Sequence, residues 1–295
     1  MRCLVIGGTR YFGRHLVNNL LNAGHDVTVA SRGNVPCEFH RPVRHSKAIR
    51  QNGQDLADIF SASSYDVVYD QIGYNKSEAE ILCRVMRGRC GRFVFTSTQS
   101  VYFTAGNVVE NAFDPKSVDI SKEVESTNPY QLGKREAEAV YAQLADCPTV
   151  MMRIPIVLGI DDYTKRLHFH IERILRGQPI YFPNINAQIS FIHAKDAGKF
   201  LAWLGSSDKT GTVNACSPTH IALQDMISII EGYTNKRLIL NSVLESPESH
   251  SPFGIQSDAT MNSDLAQSWG FAFGKIEDWL PDLINEMTGS IKATY

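Results

Sequence analysis

Tyr130 and Lys134 stand four apart in Tyr130-Gln131-Leu132-Gly133-Lys134. They lie in a stretch, Pro129–Leu144, whose apolar spacing predicts a helix, so both side chains project from one face. A tyrosine of ordinary pKa is a poor base at neutral pH. A neighbouring ammonium favours the phenolate, and a tyrosine tuned in this way exchanges a proton with an alcohol or a carbonyl. Alone, the spacing is common and fits a surface helix equally well; its weight comes from what precedes it. The segment Arg92–Thr96 reads as a buried strand and runs on through Ser97-Thr98-Gln99-Ser100-Val101-Tyr102. Hydroxyls at the carboxyl end of such a strand lie in the crevice where open α/β sheets bind ligands.

A second chemical signal opens the chain. The first apolar run ends in Gly7-Gly8-Thr9-Arg10-Tyr11-Phe12-Gly13, where a helix begins. A tight turn at a strand's end needs glycine, and close approach to a pyrophosphate excludes a Cβ. Gly13 lets the helix pack on the sheet, leaving its first amides to bind phosphate. A glycine motif is weak by itself, but here it falls at the first strand–helix junction, which is the context dinucleotide binding requires. The second strand ends in Ser31 and Arg32, where an acidic residue would hold the adenosine ribose and repel a 2′-phosphate. With Arg10 in the turn, two guanidiniums favour NADP over NAD, because arginine grips phosphate with forked hydrogen bonds. The competing possibility is that either arginine simply faces solvent.

These residues need a frame. Short β-branched runs (Cys3–Ile6, Asp26–Ala30, Asp66–Asp70, Arg92–Thr96, Thr149–Ile154) alternate with helical patterns at Gly13–Asn22, Gly53–Ser61, Ser77–Arg87 and Pro129–Leu144. Gly24 closes the first helix. The rhythm predicts an α/β fold, a doubly wound parallel sheet of Rossmann type with right-handed crossovers. From Gly159 it loosens: a helix at Leu167–Arg176, a return strand at Gln188–Phe191, a helix at Ala194–Leu204, a strand at Thr212–Ala215, then a helix at Leu223–Thr234, an extended piece at Arg237–Leu240 and short helices near Ser263–Trp269 and Ile276–Glu286. The expected division is a dinucleotide-binding core of residues 1–158, with 188–216 returning to it, and a small discontinuous substrate-binding cap of 159–187 and 217–295.

The set GGTRYFG, FVFTSTQSVY, NPYQLGK, RIPIVLG and FIHAKDAG, in this order, resembles the extended short-chain dehydrogenase/reductase family, also called the NAD-dependent epimerase/dehydratase family. The likeness runs through to MNSDLAQSWGF, near a late helix of that family. It implies that Tyr130 is the acid/base, that Lys134 binds the nicotinamide ribose and tunes Tyr130, and that Thr98, four residues before Tyr102, holds the reacting oxygen. The arginine in the turn also resembles an atypical branch with a GGTR opening, some of whose members have drifted towards RNA-related roles. Departures are informative. Sugar-nucleotide 4,6-dehydratases of the family carry Asp-Glu where this chain has Gln99-Ser100, which disfavours dehydration. Ile156 replaces an Asn common in nucleotide-sugar epimerases, and Ile189 replaces an arginine that contacts diphosphate. His193 and Asp196 survive, as structural residues or substrate contacts.

Composition narrows the classes. With 43% apolar and 20% charged residues the chain has ample core material, and a net charge of −2 gives no broad field for nucleic acid. The basic stretch Arg41–Arg50 reads as a solvated loop or cofactor rim. No apolar run is long enough to span a bilayer. The six scattered cysteines read as reduced structural thiols, and Met1-Arg2 leads into a strand rather than a secretory signal, which points to the cytoplasm. His168 and His170, two apart on a helix, point away from each other and make no metal site; they suit a partly exposed helix or a cap contact. Asp161 and Asp162 suit a turn with an N-cap, or substrate hydroxyls. Ile81, Leu82, Val85 and Met86 form core or, as in the resembled family, a helix-pair homodimer interface.

The expectation is therefore an NADP- or NAD-dependent oxidoreductase or epimerase acting on a sugar-like or other hydroxyl/carbonyl compound. Thr98, Tyr130 and Lys134 would be catalytic, and Gly7, Gly8, Thr9, Arg10, Tyr11, Phe12, Gly13, Ser31, Arg32, Tyr130 and Lys134 would hold cofactor. The partner is a small molecule, a sugar or nucleotide-sugar, rather than nucleic acid or membrane. The alternative is a cofactor-binding regulatory or RNA-associated protein that keeps the fold without turnover.

Overall fold

Strands of Val, Ile, Phe and Met with no polar face can be stable only if both sides of their sheet are covered. The computed structural model, which describes residues 1–103, 106–123 and 125–293, shows that arrangement. In chain order the first half runs β1 (Arg2–Ile6), α1 (Tyr11–Asn22), β2 (Asp26–Ser31), β3 (Arg44–Lys47), α2 (Gly53–Ala62), β4 (Val67–Asp70), α3 (Lys76–Met86), β5 (Phe93–Thr98), α4 (Pro129–Leu144) and β6 (Thr149–Ile154). Then follow β7 (Ile156–Leu158), α5 (Arg166–Arg176), β8 (Ile180–Tyr181), β9 (Gln188–Ile189), β10 (Phe191–His193), α6 (Ala194–Ser206) and β11 (Gly211–Asn214). The chain closes with β12 (Ile221–Ala222), α7 (Leu223–Thr234), β13 (Leu240–Asn241), α8 (Asp264–Ser268) and α9 (Ile276–Lys292). The main sheet has seven parallel strands in the order β11-β6-β5-β4-β1-β2-β3. The order reverses beside β1, so a crevice opens between the carboxyl ends of β1 and β4.

One face is covered by α1 and α6, with Leu16, Val17, Leu20, Phe200, Leu201 and Leu204 fully buried. The two helices touch at Gly198, where a Cβ would come 2.4 Å from that of His15. Leu265, Trp269, Phe271 and Phe273, in and after α8, pack on this same face. The other face is covered by α2, α3 and α4 through Leu56, Phe60, Leu82, Val140 and Tyr141. Leu82 and Met86 of the apolar stripe are buried, and Ile81 and Val85 pack partly exposed against this core. A separate core joins α5, α7 and α9 with Phe182, Phe191 and Phe253. Among the described residues no helix is long and apolar enough to cross a membrane, and all six cysteines are free thiols.

One expectation fails. The basic stretch Arg41–Arg50 is not simply a solvated loop: Arg44–Lys47 forms the edge strand β3, paired with β2 from Thr28↔Arg44 to Ser31↔Lys47. Its Arg-His-Ser-Lys sequence carries no apolar alternation, since an edge strand needs backbone partners on one side only. Its exposed charges discourage pairing with another chain. At the end of the stretch Arg50 is buried.

Candidate active site

The glycine turn is built for close approach. Gly7 has φ +91°, and a Cβ there would sit 2.7 Å from Ile72 Cγ2; one on Gly13 would sit 2.9 Å from the Gly7 carbonyl oxygen. The next residue in the left-handed region is Tyr11, φ +53°, a conformation that strains a bulky side chain and is kept where surrounding packing enforces it. Its ring is buried against Phe12 and Tyr163. The N-terminus of α1 has no side-chain cap and no acidic residue in its first turn. By contrast α2, α3 and α4 are each capped by an asparagine: Asn52, Asn75 and Asn128. The amides of α1 are thus left for an anion.

Gly7, Thr9, Arg10, Tyr11, Phe12, Gly13, Ser31 and Arg32 line one crevice of about 960 Å³ together with Thr98, Tyr130 and Lys134; Gly8, the remaining expected residue, packs beneath the turn against Val5 and Val17. The two arginines part company, however. The Arg10 guanidinium lies over the Tyr163 ring, 5.2 Å from its centroid, towards the start of α5, while Arg32 is exposed beside β2. The Ser31 hydroxyl is engaged with His45 Nε2 at 2.8 Å and accepts from the Gly33 amide.

Thr98 ends β5, and its Oγ1 accepts the Ser100 amide at 3.1 Å, closing the short turn Gln99–Val101. Tyr130 is in the first turn of α4, after Pro129 at a position where proline loses nothing, and is 47% exposed. Lys134, one turn further, is buried: its Nζ donates to the Thr96 carbonyl at 3.0 Å and lies 4.9 Å from the Tyr74 ring centroid and 4.8 Å from that of Phe95. Burial lowers its pKa to about 8, against the pull of Asp70, Glu138 and Glu78. Among the described residues no hydrogen bond links the Tyr130 hydroxyl to Lys134 or Thr98, so the pair shares a crevice rather than a contact. Gln131 fastens α4 to the loop after β5 by donating to the Ser100 and Tyr102 carbonyls.

Two arginines assigned no role of their own from sequence underlie this wall. Arg50 donates to Asp70 Oδ2 at 2.7 Å, to the Glu78 carbonyl and to the Tyr141 hydroxyl, all buried. Glu78 in turn accepts the Tyr74 amide at 2.7 Å. Arg153, in the RIPIVLG segment, is wholly buried; it pairs with Glu138 at 2.6 Å and donates to the Tyr102 hydroxyl and the Phe113 carbonyl, fixing α4 to β6. His193 caps α6 by accepting the Lys195 amide, and Asp196 accepts the Gly274 amide; neither lines the crevice. His170 is not partly exposed: it is fully buried, stacked on Phe253 and bonded to Ser251 Oγ at 2.7 Å. Asp162 closes its own turn by accepting from Thr164, and Asp161 faces His15 at 3.6 Å; neither caps α5. Among the described residues no three His, Cys, Asp or Glu side chains converge to hold a metal.

A nicotinamide dinucleotide fits these residues. The turn packs too tightly for a Cβ at Gly7, Gly8 or Gly13, and three residues that line the crevice each carry a buried polar atom with no partner among the described residues: Gln71 Nε2, Ser97 Oγ and Tyr11 Oη. Buried donors without partners are costly, and a bound polar ligand is one way to satisfy them.

A doubly wound parallel sheet with this turn is the Rossmann-type α/β architecture. The family model of the NAD dependent epimerase/dehydratase family matches residues 3–216, and the chain belongs to that family. It is 28% identical over 223 residues to the chloroplast stem-loop binding protein of 41 kDa b of Arabidopsis thaliana, a match covering 70% of this chain and 55% of that protein, so the chain spans little more than half its relative's length. UDP-glucose 4-epimerase of Thermotoga maritima, solved with UDP-glucose, superposes with a TM-score of 0.76 at 15% identity, covering 100% of this chain and 99% of the other. UDP-glucose 4-epimerase of Thermus thermophilus, solved with NAD, gives 0.71 at 17% identity over 100% of both chains. At such identities the likeness speaks for the fold alone.

Proposed function

We propose that the chain is an NADP- or NAD-dependent oxidoreductase or epimerase acting on a sugar-like or other hydroxyl/carbonyl substrate, with NADP preferred. The observation that carries this is the meeting of Thr98, Tyr130 and Lys134 with the glycine turn on one crevice. The nicotinamide cofactor, when bound, supplies hydride exchange with a substrate carbon. Tyr130 Oη moves the proton to or from the substrate oxygen, and Thr98 Oγ1 hydrogen-bonds that oxygen. The Lys134 ammonium favours the phenolate from one helical turn away. Gln71 and Ser97 offer their spare hydrogen-bonding capacity to the cofactor. The cap, residues 159–187 and 217–295, selects the substrate, and Gln99-Ser100 supplies no carboxyl for dehydration. The protein works as a cytoplasmic homodimer joined through the Ile81/Val85 side of α3.

Titration calorimetry with NADP⁺ and NAD⁺ on wild type, Arg32→Ala and Arg10→Ala tests the cofactor reading. Loss of an arginine that grips the 2′-phosphate removes about 1.5–3 kcal/mol, tenfold to about a hundredfold in NADP⁺ affinity, and leaves NAD⁺ unchanged. The exposure of Arg32 and the engagement of Arg10 with Tyr163 make Arg32 the more sensitive position. Tyr130→Phe, screened with UDP-glucose and with free aldoses and ketoses, abolishes turnover while cofactor still binds; undiminished turnover would refute the role of Tyr130. The second reading, an RNA-associated protein without turnover, is favoured by the name of the Arabidopsis relative and by the exposed Arg44, His45 and Lys47 on the edge strand. Salt-dependent binding of a stem-loop RNA, with neither nucleotide bound, would put it ahead.

A further inference from the structure

The turn between β4 and α3 is held from both sides. Below it, Asp70 Oδ1 accepts the Ile72 amide, and Asp70 Oδ2 is fixed by Arg50 and Tyr141. At its far end Asn75 caps α3 by accepting the Glu78 amide, while the Glu78 carboxylate accepts the Tyr74 amide. Above it α4 presses so closely that a Cβ on Gly133 would come 2.4 Å from the Tyr74 carbonyl oxygen, and one on Gly73 would come 2.7 Å from Asp70 Oδ2. Glycine at 133, between Tyr130 and Lys134, is therefore a packing requirement of this turn. The outcome of so much restraint is the placement of one side chain. The Tyr74 ring is 45% exposed in the crevice, with the Lys134 ammonium over its face at 4.9 Å and the Tyr130 ring at 6.4 Å between centroids.

The geometry points to Tyr74 as a positioning residue of the Tyr130/Lys134 pair, its ring covering the Lys134 ammonium on the crevice side and backing the Tyr130 ring. This rests on the proposal that Tyr130 and Lys134 carry the chemistry. Among the described residues no hydrogen bond joins those two directly, and the Tyr74 ring lies against both. The Phe95 ring also lies against the ammonium, at 4.8 Å to its centroid, and the Thr96 carbonyl accepts a hydrogen bond from it. A cation packed against aromatic rings is attracted to their faces and shielded by them from bulk water. The charged groups acting on Lys134 from the packed elements are Asp70, Glu78, Glu138 and Arg50, and all remain when Tyr74 is changed. The ring is then the variable part of its surroundings.

Trace acetylation with acetic anhydride, followed by peptide mass spectrometry of the segment carrying Lys134, reads the titration of this one amine in the cofactor-free protein without any need for turnover. Wild type should be half-reactive near pH 8, where burial places the Lys134 amine. Tyr74→Ala admits water to the ammonium and moves the midpoint up by about one pH unit, since desolvation is what depresses it. Tyr74→Phe keeps the ring face and keeps the wild-type midpoint. An unmoved midpoint in Tyr74→Ala, or an equal shift in both variants, overturns the inference. Turnover by Tyr130→Phe in the substrate screen is read separately: activity retained there refutes the catalytic reading, whereas an unmoved Lys134 titration refutes only the role given to Tyr74.

Discussion

Replacing Asp70 with alanine strands the Arg50 guanidinium in the core. Arg50 is 3% exposed and Asp70 is fully buried, and they meet at 2.7 Å. Asp70 also accepts from Tyr141 at 2.8 Å and from the Ile72 amide at 3.0 Å, while Arg50 Nε has no partner among the described residues. Burial opposes the ionisation of Asp70, but the charge and hydrogen bond of Arg50 and the bond from Tyr141 outweigh it and hold the carboxyl below its ordinary range. Removing one partner of such a buried pair costs about 3–5 kcal/mol, because the other charge is left uncompensated, whereas replacing both with apolar groups is close to neutral. Against a total stability of about 5–15 kcal/mol, Asp70→Ala should shift the urea midpoint severely. Arg50→Met/Asp70→Leu should recover most of the loss. Equilibrium unfolding in urea, with fluorescence and circular dichroism giving coincident transitions, reads both variants. Because the folded pKa is depressed, the stabilisation by Asp70 is full above the ordinary carboxylate value and is lost as pH falls through the folded one. A single variant costing under about 1 kcal/mol, or a double variant as unstable as the single, would refute a buried charge that depends on its partner.

Gly133→Ala should cost about 1–3 kcal/mol by overpacking against the Tyr74 carbonyl, seen as a lowered melting temperature, and should weaken NADP⁺ binding in calorimetry. In the cofactor-free protein, Lys134 titrates near 8 when folded and near its ordinary ~10.4 when unfolded, so between those values the unfolded chain holds a proton that the folded one lacks. Wild-type stability should therefore rise relative to Lys134→Met by roughly 1–3 kcal/mol across that window, and parallel urea midpoints would contradict it. His170 is pushed down to about 3 by burial, so the unfolded chain takes up its proton first as pH falls from an ordinary ~6.5, and stability declines across that span. His170→Phe should flatten this acid limb in a series of unfolding curves.

The glycine turn and the Tyr130/Lys134 spacing were legible because each is local: contiguous residues in one case, one helical turn in the other. Strand and helix cores were legible for the same reason, with Thr149–Ile154, Pro129–Leu144 and Leu223–Thr234 falling where their periodicity puts them. What was hidden depends on distant parts of the chain. Arg50 lies in a run of positive charge, and nothing nearby shows that Asp70 and Tyr141 will enclose it. Strand β3 has no apolar residue to mark it, because its place is decided by the backbone of β2. Arg10 and Arg32 look equivalent in sequence; the fold sends one to Tyr163 and leaves the other free of it. Tyr74 carries no motif, and its meaning comes from Gly133 on another element.

The last strand of the main sheet has a consequence for biosynthesis. The open side of β6 is closed by β11, so Val150–Arg153 stay unpaired on that side until Gly211–Asn214 have been made, about 60 residues later. Asn214 also fastens the Tyr102 hydroxyl and the Val108 and Asn262 carbonyls. At about 5–20 residues per second the nascent chain would hold an apolar sheet edge open for several seconds. That interval, rather than the charged β3 edge of the finished protein, is when the chain is most exposed to aggregation and to capture by a chaperone.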